Sequence, residues 1–160
     1  MEFGKEVRER LSRLGPFRDR HEKLAVEQSG VRLEIDLEAA DEFSCCFDEL
    51  RLHARSMEDA DTAALKDWAG RIGRTITYLL EQVQPLEVDA DHGKVLLRSA
   101  PPDKRAAHTT YYELVVDRDG WLSLQRFRTG PEMLRRARVS CTCTREQVDK
   151  LVDDLAGSIE

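Results

Sequence analysis

The sequence predicts an α+β fold, in which a single curved, mainly antiparallel sheet carries helices packed chiefly on one face. Two patterns indicate this class: apolar residues that alternate with charged ones at strand spacing, and three segments whose apolar residues recur at helical spacing. Their order is a helix, strands, a long helix, further strands and a final helix, which is typical of α+β proteins. Since the chain has 160 residues and no internal repeat or linker, we expect one domain over residues 1–160.

An N-terminal amphipathic helix opens the predicted order of elements. Its apolar stripe consists of Phe3, Val7, Leu11 and Leu14. Gly15 and Pro16 then end the helical pattern. Residues 17–28 fit either a helix or a strand, because Leu24 and Val26 suit a strand while the preceding residues fit a helical face. Ser29 and Gly30 end this segment in either case.

The clearest strand of the sequence follows. Val31, Leu33, Ile35 and Leu37 alternate with Arg32, Glu34, Asp36 and Glu38. This alternation predicts that the apolar residues share one face of the strand and the charged residues share the other. A turn at 39–42 leads to a second strand over 43–55, so the two strands are expected to form a hairpin.

A long central helix is predicted from about residue 58 to residue 84, closed by Pro85. Its core stripe reads Leu65, Trp68, Ile72, Ile76, Leu79, Leu80 and Val83. Asp59 and Asp61 are suited to cap the start of the helix. Gly70 and Gly73 weaken an isolated helix, so we expect another element to pack closely against that side.

Two hairpins and a final strand–helix pair complete the predicted fold. The first hairpin joins 86–89 to 95–99, with a loop at 101–102, and the second joins 111–116 to 121–128 through an Asp-Gly turn at 117–120. A last strand spans 139–143. Thr144 and Gln147 have the form of a capping box that starts the final helix. The buried stripe of this helix is predicted to be Val148, Leu151, Val152, Leu155 and Ile159.

Composition argues against several classes of partner. The net charge of −6 opposes binding to nucleic acid, whose affinity comes mainly from lysine and arginine. The charged start of the chain does not suit a signal peptide, and no stretch approaches the roughly 20 apolar residues that cross a bilayer. We therefore expect a cytoplasmic protein with no membrane contact and with reduced cysteines.

Motifs for common cofactors and metals are missing from the sequence. There is no dinucleotide-binding glycine motif, no Walker loop and no zinc-protease motif, and the segment Asp89–Gly93 only partly matches a calcium loop. Cys45 and Cys46 are adjacent in a predicted strand and should point to opposite faces, so they cannot both join Cys141 and Cys143 at a zinc ion unless a bulge intervenes. The cysteines are expected to fill core space, and we predict neither metal nor cofactor.

An arginine-rich stretch over 126–145 is the main candidate site. It contains Arg126, Arg128, Arg135, Arg136, Arg138 and Arg145, with Glu132 as the only acidic residue before position 146. If these arginines converge, they could hold a phosphate, a carboxylate or an acidic peptide together with Tyr111, Tyr112 and His108. Alternatively, they pair with Glu34, Asp36 and Glu38 on the outer face of the sheet.

Two functions follow from these patterns. The first is a non-enzymatic protein-binding or adaptor module that binds a protein partner or forms a homodimer. The order of elements and the small acidic chain are similar to the dimeric cytosolic chaperones that serve bacterial secretion systems, which implies a chaperone-like role and transfers no site residue. The second is a small-molecule or anion-binding protein, or a simple enzyme, that uses the arginine-rich stretch.

Overall fold

The computed structural model describes residues 2–79, 82–100, 103–105 and 108–159. Within these residues lie three helices, α1 (Phe3–Leu14), α2 (Thr62–Thr75) and α3 (Arg145–Gly157). The strands are β1 (Glu22–Gln28), β2 (Val31–Ala40), β3 (Ser44–Glu58), β4 (Gln82–Asp89), β5 (Lys94–Ala100), β6 (Asp103–Arg105), β7 (His108–Asp117), β8 (Asp119–Thr129), β9 (Ala137–Val139) and β10 (Cys141–Thr144). None of the described helices is long and apolar enough to cross a membrane.

The strands form one antiparallel sheet that is not closed. Its main order is β1-β2-β3-β8-β7-β5-β4, and three short strands pair outside this path. β10 pairs with the start of β3, while β9 pairs with the end of β8. The last two strands therefore occupy the region where β3 and β8 no longer pair with each other. The α+β class with an antiparallel sheet, predicted from the alternation of apolar residues, is confirmed.

One face of the sheet contributes to the hydrophobic core. Val31, Leu33, Ile35 and Leu37 of β2 are all buried, as their alternation predicts. They belong to the same core cluster as the buried residues of the three helices. We call the opposite face, which carries the alternating residues, the polar face. Arg51, Ser123, Val115 and Leu96 lie on it at neighbouring register positions of β3, β8, β7 and β5.

The ambiguous segment 17–28 forms a strand over most of its length. β1 pairs with β2 along its full length, and Leu24 and Val26 are buried in the core. Phe17 makes an isolated bridge to Ala40. The strand is favoured because pairing with β2 satisfies the backbone groups on one of its edges while both apolar side chains enter the core.

The prediction of a long central helix is wrong for the C-terminal part of that segment. α2 ends at Thr75, and Ile76 is extended, with φ −86° and ψ 93°. Ile76, Leu79 and Val83 are nevertheless buried, so their apolar spacing reflects contact with the core and not helical periodicity. Pro85 lies within β4, and Leu80 is outside the described residues.

After α2 the chain turns back and β4 passes close to Gly73. A Cβ at Gly73 would lie 3.0 Å from the carbonyl oxygen of Val83 in β4. The predicted close approach of another element is therefore present at this glycine. At Gly70 the nearest atom to such a Cβ belongs to the flexible side chain of Arg74, at 3.2 Å.

The predicted caps are confirmed at Asp61 and at Thr144 with Gln147, whereas Asp59 lies two residues before the N-cap of α2 with a φ of 60°. Asp61 is the N-cap of α2 and accepts a hydrogen bond from the backbone N–H of Ala64 at 2.8 Å. Thr144 and Gln147 form the reciprocal capping box of α3. Gly120, the second residue of β8, adopts a φ of 90°, a conformation that favours glycine.

Candidate functional site

The arginine-rich stretch is divided between the two sides of the sheet. Arg126 alternates with the polar-face residues of β8, and its guanidinium lies 5.0 Å from the ring centroid of Tyr112, a residue of the core cluster. It also donates a hydrogen bond to Thr110 at 3.0 Å. Arg136 instead contacts Tyr111 and Phe127, which lie on the polar face. The alternation of a strand separates side chains in this way however close they are in sequence.

Glu113 is the centre of an ionic cluster on the polar face. The residue is 5% exposed, and Arg136 binds its carboxylate through both terminal nitrogens. Arg98 donates to the same carboxylate at 3.3 Å, through the oxygen that also accepts from Nη1 of Arg136. The hydrogen bond to Glu113 raises the pKa of Arg136, so this guanidinium stays charged at all ordinary pH values. Two arginines thus neutralise one buried carboxylate.

Two aromatic rings support these arginines. The guanidinium of Arg136 lies 3.7 Å from the ring centroid of Phe127, and that of Arg98 lies 4.6 Å from the ring centroid of Tyr111. The hydroxyl of Tyr111 also accepts a hydrogen bond from Arg136 at 3.2 Å. The two rings are 6.0 Å apart and are largely shielded from water, although they lie outside the main core cluster. The arginines therefore cover aromatic surface on the polar face.

A second ionic cluster lies on β2 and β3 around Glu34. This carboxylate accepts hydrogen bonds from Arg32 at 3.1 Å and from Arg51 at 2.5 Å. Burial raises the pKa of Glu34, but the hydrogen bonds from Arg32 and Arg51 outweigh it and hold the pKa below its usual range. The guanidinium of Arg51 lies 4.7 Å from the ring centroid of Trp121. Glu34, expected as a partner of the arginine-rich stretch, thus has arginines from its own hairpin.

The other arginines of the stretch are not part of the Glu113 or Glu34 clusters. Arg128, Arg135 and Arg138 are exposed, and the side chain of Arg145 donates to the carbonyl oxygen of Asp41. The Nε2 atom of His108 lies 3.1 Å from a carboxylate oxygen of Glu132.

Glu38 and Asp48 form a hydrogen-bonded carboxyl pair that the sequence did not indicate. The hydrogen bond from Asp48 and another from Ser140 lower the pKa of Glu38, while the bond to Glu38 raises the pKa of Asp48. The positive charge of Arg138 favours the ionised form of both. This contact depends on irregular pairing between β2 and β3 and on the break between β9 and β10, neither of which has a sequence signal.

Three of the four cysteines lie in the core. Burial raises the pKa of Cys45 to about 12 and that of Cys143 to about 11, which makes both thiols poor nucleophiles. Cys46 points to the other side, where its sulfur lies 3.3 Å from the hydroxyl of Thr142. His53 contacts Trp121 and the carbonyl oxygen of Asp119. Among the residues that the structure describes, no three His, Cys, Asp or Glu side chains form a group suited to a metal ion.

Several residues of the polar-face clusters were missed by the sequence analysis. Tyr111 and Arg136 were named as candidates, but Glu113, Phe127 and Arg98 were not. A usable signal existed for Glu113, because alternation places it on the same face as Tyr111. Phe127 lies opposite Tyr111 only in the observed register of β7 with β8, which differs by one residue from that of the predicted hairpin. The position of Arg98 required the pairing of β5 with β7, which no local pattern specified.

Comparison with known proteins does not place the chain in a family. No protein-family model matches it, and neither the curated proteins nor the solved structures include a significant match. The geometry of the polar face is therefore the main guide to function.

Proposed function

We propose that this protein is a non-enzymatic protein-binding module that binds its partner on the polar face of the sheet. One observation carries the proposal: three arginine guanidiniums stack on three aromatic rings on the same face. The pairs are Arg51 on Trp121, Arg98 on Tyr111 and Arg136 on Phe127.

These residue types suit a binding surface. Arginine, tyrosine and tryptophan dominate the binding energy of protein interfaces, because they combine a large apolar contact with directed hydrogen bonds. The side chains of Arg51, Arg98 and Arg136 are 37%, 36% and 40% exposed, so each remains accessible to a partner. Their orientation is set in advance by Glu34 and Glu113, which reduces the conformational entropy lost on binding.

The proposal requires the polar face to be accessible. We take the three helices to lie chiefly on the core face, since their buried residues belong to the core cluster that contains Leu33 and Leu124. Between the two ionic clusters the polar face carries half-buried Ser123, Val115 and Leu96. A polypeptide, including a second copy of this chain, can contact this central strip and both clusters together. An adaptor or chaperone-like role would use the face in this way.

Site-specific photo-crosslinking tests the proposal. We would replace Ser123, at the centre of the polar face, with p-benzoylphenylalanine, and place the same residue at Lys66, an exposed position of α2, as the matched control. We expect discrete polypeptide adducts from position 123 but not from position 66, and a loss of these adducts when Arg51→Ala is added. Equal adducts at both positions, or none at position 123, would exclude the polar face as the binding surface.

Anion binding by the arginine-rich stretch is the competing proposal. Glu113 neutralises Arg136, and the stretch is divided between the two sides of the sheet, which favours a protein partner over a small anion. Thermal unfolding with phosphate and citrate separates the two proposals. A saturable rise in melting temperature of several degrees, absent in chloride of equal ionic strength, would support an anion site instead.

A further inference from the structure

Arg136 occupies a pocket-like arrangement formed by three side chains of the polar face. We propose that Glu113, Tyr111 and Phe127 form an arginine socket, in which the side chain of Arg136 is a resident occupant that an arginine of the partner polypeptide replaces. This inference deepens the protein-binding function proposed above and rests on it. It names the chemical group that the partner presents.

The contacts of Arg136 show which chemical group the arginine socket binds. The carboxylate of Glu113 receives both terminal nitrogens of Arg136, one of them at 3.2 Å. The hydroxyl of Tyr111 accepts from the same guanidinium, and the centroid of the Phe127 ring lies 3.7 Å from the guanidinium carbon. A planar fork satisfies all three contacts at once, whereas a lysine ammonium cannot bond in the same bidentate way. The socket therefore selects arginine over lysine.

The arginine socket does not lose its charge balance when Arg136 leaves. Glu113 is 5% exposed, and an isolated buried carboxylate would strongly destabilise the fold. Arg98, however, bonds the same carboxylate at 3.3 Å and rests on the ring of Tyr111. This second arginine comes from β5, so it does not depend on the position of Arg136. The vacated socket thus keeps a compensated carboxylate and an aromatic wall.

The resident arginine lies at the end of a largely exposed connection. Arg136 immediately precedes β9, at the end of the connection over 130–136. Leu134 in this connection is fully exposed and Arg135 is also exposed. The side chain of Arg136 itself is 40% exposed, so an incoming arginine reaches the socket from the solvent side. Replacement exchanges one guanidinium for another and leaves the total charge of the socket unchanged.

Chemical rescue of an emptied socket tests this inference. The variant Arg136→Ala would be unfolded thermally in the presence of N-acetyl-L-argininamide or, as control, N-acetyl-L-lysinamide at the same concentration. We expect a saturable rise in melting temperature with the arginine compound, with a midpoint on the order of 1–10 mM for a single side chain. The lysine compound should raise it far less, and the wild-type protein should respond little because Arg136 fills the socket.

A second variant assigns the effect to the socket. In Arg136→Ala combined with Glu113→Gln, the selective response to the arginine compound should disappear, because the carboxylate that receives the fork is gone. Should Arg136→Ala fail to fold, Arg136→Lys keeps a cation at the site and should show the same preference for the arginine compound. Equal responses to both compounds, or full rescue in the Glu113→Gln background, would overturn the arginine socket.

The outcomes separate this inference from the proposed function. If rescue fails while position 123 still forms polypeptide adducts, the socket is refuted and binding on the polar face stands. If rescue succeeds while position 123 forms no adduct, the socket binds guanidinium groups, but the proposal that a polypeptide occupies the polar face is refuted.

Discussion

Glu34 and Glu113 are buried carboxylates that are paired with arginines. Glu34 pairs with Arg32 of its own strand and with Arg51 of β3. Glu113 pairs with Arg98 of β5 and with Arg136, which precedes β9. Such pairs stabilise a fold less than their charges suggest, because removing the ions from water costs about as much as their attraction returns. Breaking one pair is different, since the remaining charges are left without partners. For the proposed binding, these clusters matter because they hold the arginines in a fixed orientation.

Glu113→Gln should therefore destabilise the protein. We expect a loss of about 1–3 kcal/mol in the free energy of unfolding, below the range for fully buried pairs because both arginines are more than a third exposed. Urea denaturation measures this loss. Glu9→Gln on the exposed side of α1 is the control and should change stability by less than about 0.5 kcal/mol. Equal effects of the two substitutions would contradict the role assigned to Glu113.

The carboxyl pair of Glu38 and Asp48 predicts a distinctive pH dependence. The pKa of Asp48 is raised by its hydrogen bond to Glu38, so the stabilisation from the protonated form is lost as the pH rises through that pKa. The pKa of Glu38 is lowered, so its contribution is lost as the pH falls. Asp48→Asn retains a donor to Glu38 and cannot ionise.

We therefore expect the stability of Asp48→Asn, relative to the wild type, to increase as the pH rises above the usual range of aspartate and then to level off. Urea denaturation from about pH 4 to pH 8 measures this difference. Asp67→Asn on α2 serves as the control for loss of one exposed carboxylate. A difference that stays constant with pH would show that the two carboxyl groups do not share a proton.

At the scale of elements, α2 and its neighbour β4 show how tertiary contact limits a helix. The apolar spacing continues past Thr75, yet the chain becomes extended at Ile76 and returns past Gly73. Helical and extended conformations can both bury Ile76 and Leu79, so the apolar pattern alone does not distinguish them. Because the chain is extended from Ile76 onward, it can return alongside α2 and place β4 next to Gly73.

Gly73→Ala and Gly70→Ala form a matched pair in the same helix. Alanine favours a helix over glycine by about 1 kcal/mol, so Gly70→Ala should stabilise the protein, since only a flexible arginine side chain must move. Gly73→Ala should lose this gain, because its Cβ would press on the backbone oxygen of Val83. We expect the two variants to differ by about 1–2 kcal/mol in thermal or urea unfolding. Similar stabilities would mean that β4 does not pack against Gly73.

At the scale of the whole molecule, the polar face combines charged clusters with a partly apolar strip. Trp121, Val115 and Leu96 are half-buried, and Arg51 covers part of Trp121. A surface that carries both signs of charge and some apolar area can pair with itself about a two-fold axis. A homodimer is therefore one form that the proposed binding can take.

Light scattering of the purified protein examines this form directly. We expect a mass that approaches twice 18.3 kDa as the concentration rises, and a return toward 18.3 kDa in Ser123→Arg, which places a long charged side chain at the centre of the polar face. Lys66→Glu on α2 should leave the mass unchanged. A mass of 18.3 kDa at every concentration would restrict the polar face to partners other than a second copy.

The candidate site was predictable only in part. Arg136 and Tyr111 were among the residues named from the sequence. The other members of their cluster, Glu113 and Arg98, lie 23 and 38 positions before Arg136. Their meeting depends on the register of β7 with β5 and on the path of the chain from β8 to β9. A pattern of charges along the chain does not encode which strands become neighbours.

Features that rest on neighbouring residues could be predicted from the sequence: α1, the hairpin of β2 and β3, the Asp-Gly turn before Trp121 and the capping box at Thr144. Periodicity, turn chemistry and capping act over a few residues, so a local pattern is enough to predict them. The end of α2, the extended form of β1, the pair of Glu38 with Asp48 and the clusters on the polar face became visible only in the folded protein. Each of these depends on contacts between distant segments, whose energy exceeds the weak local preference of the residues involved.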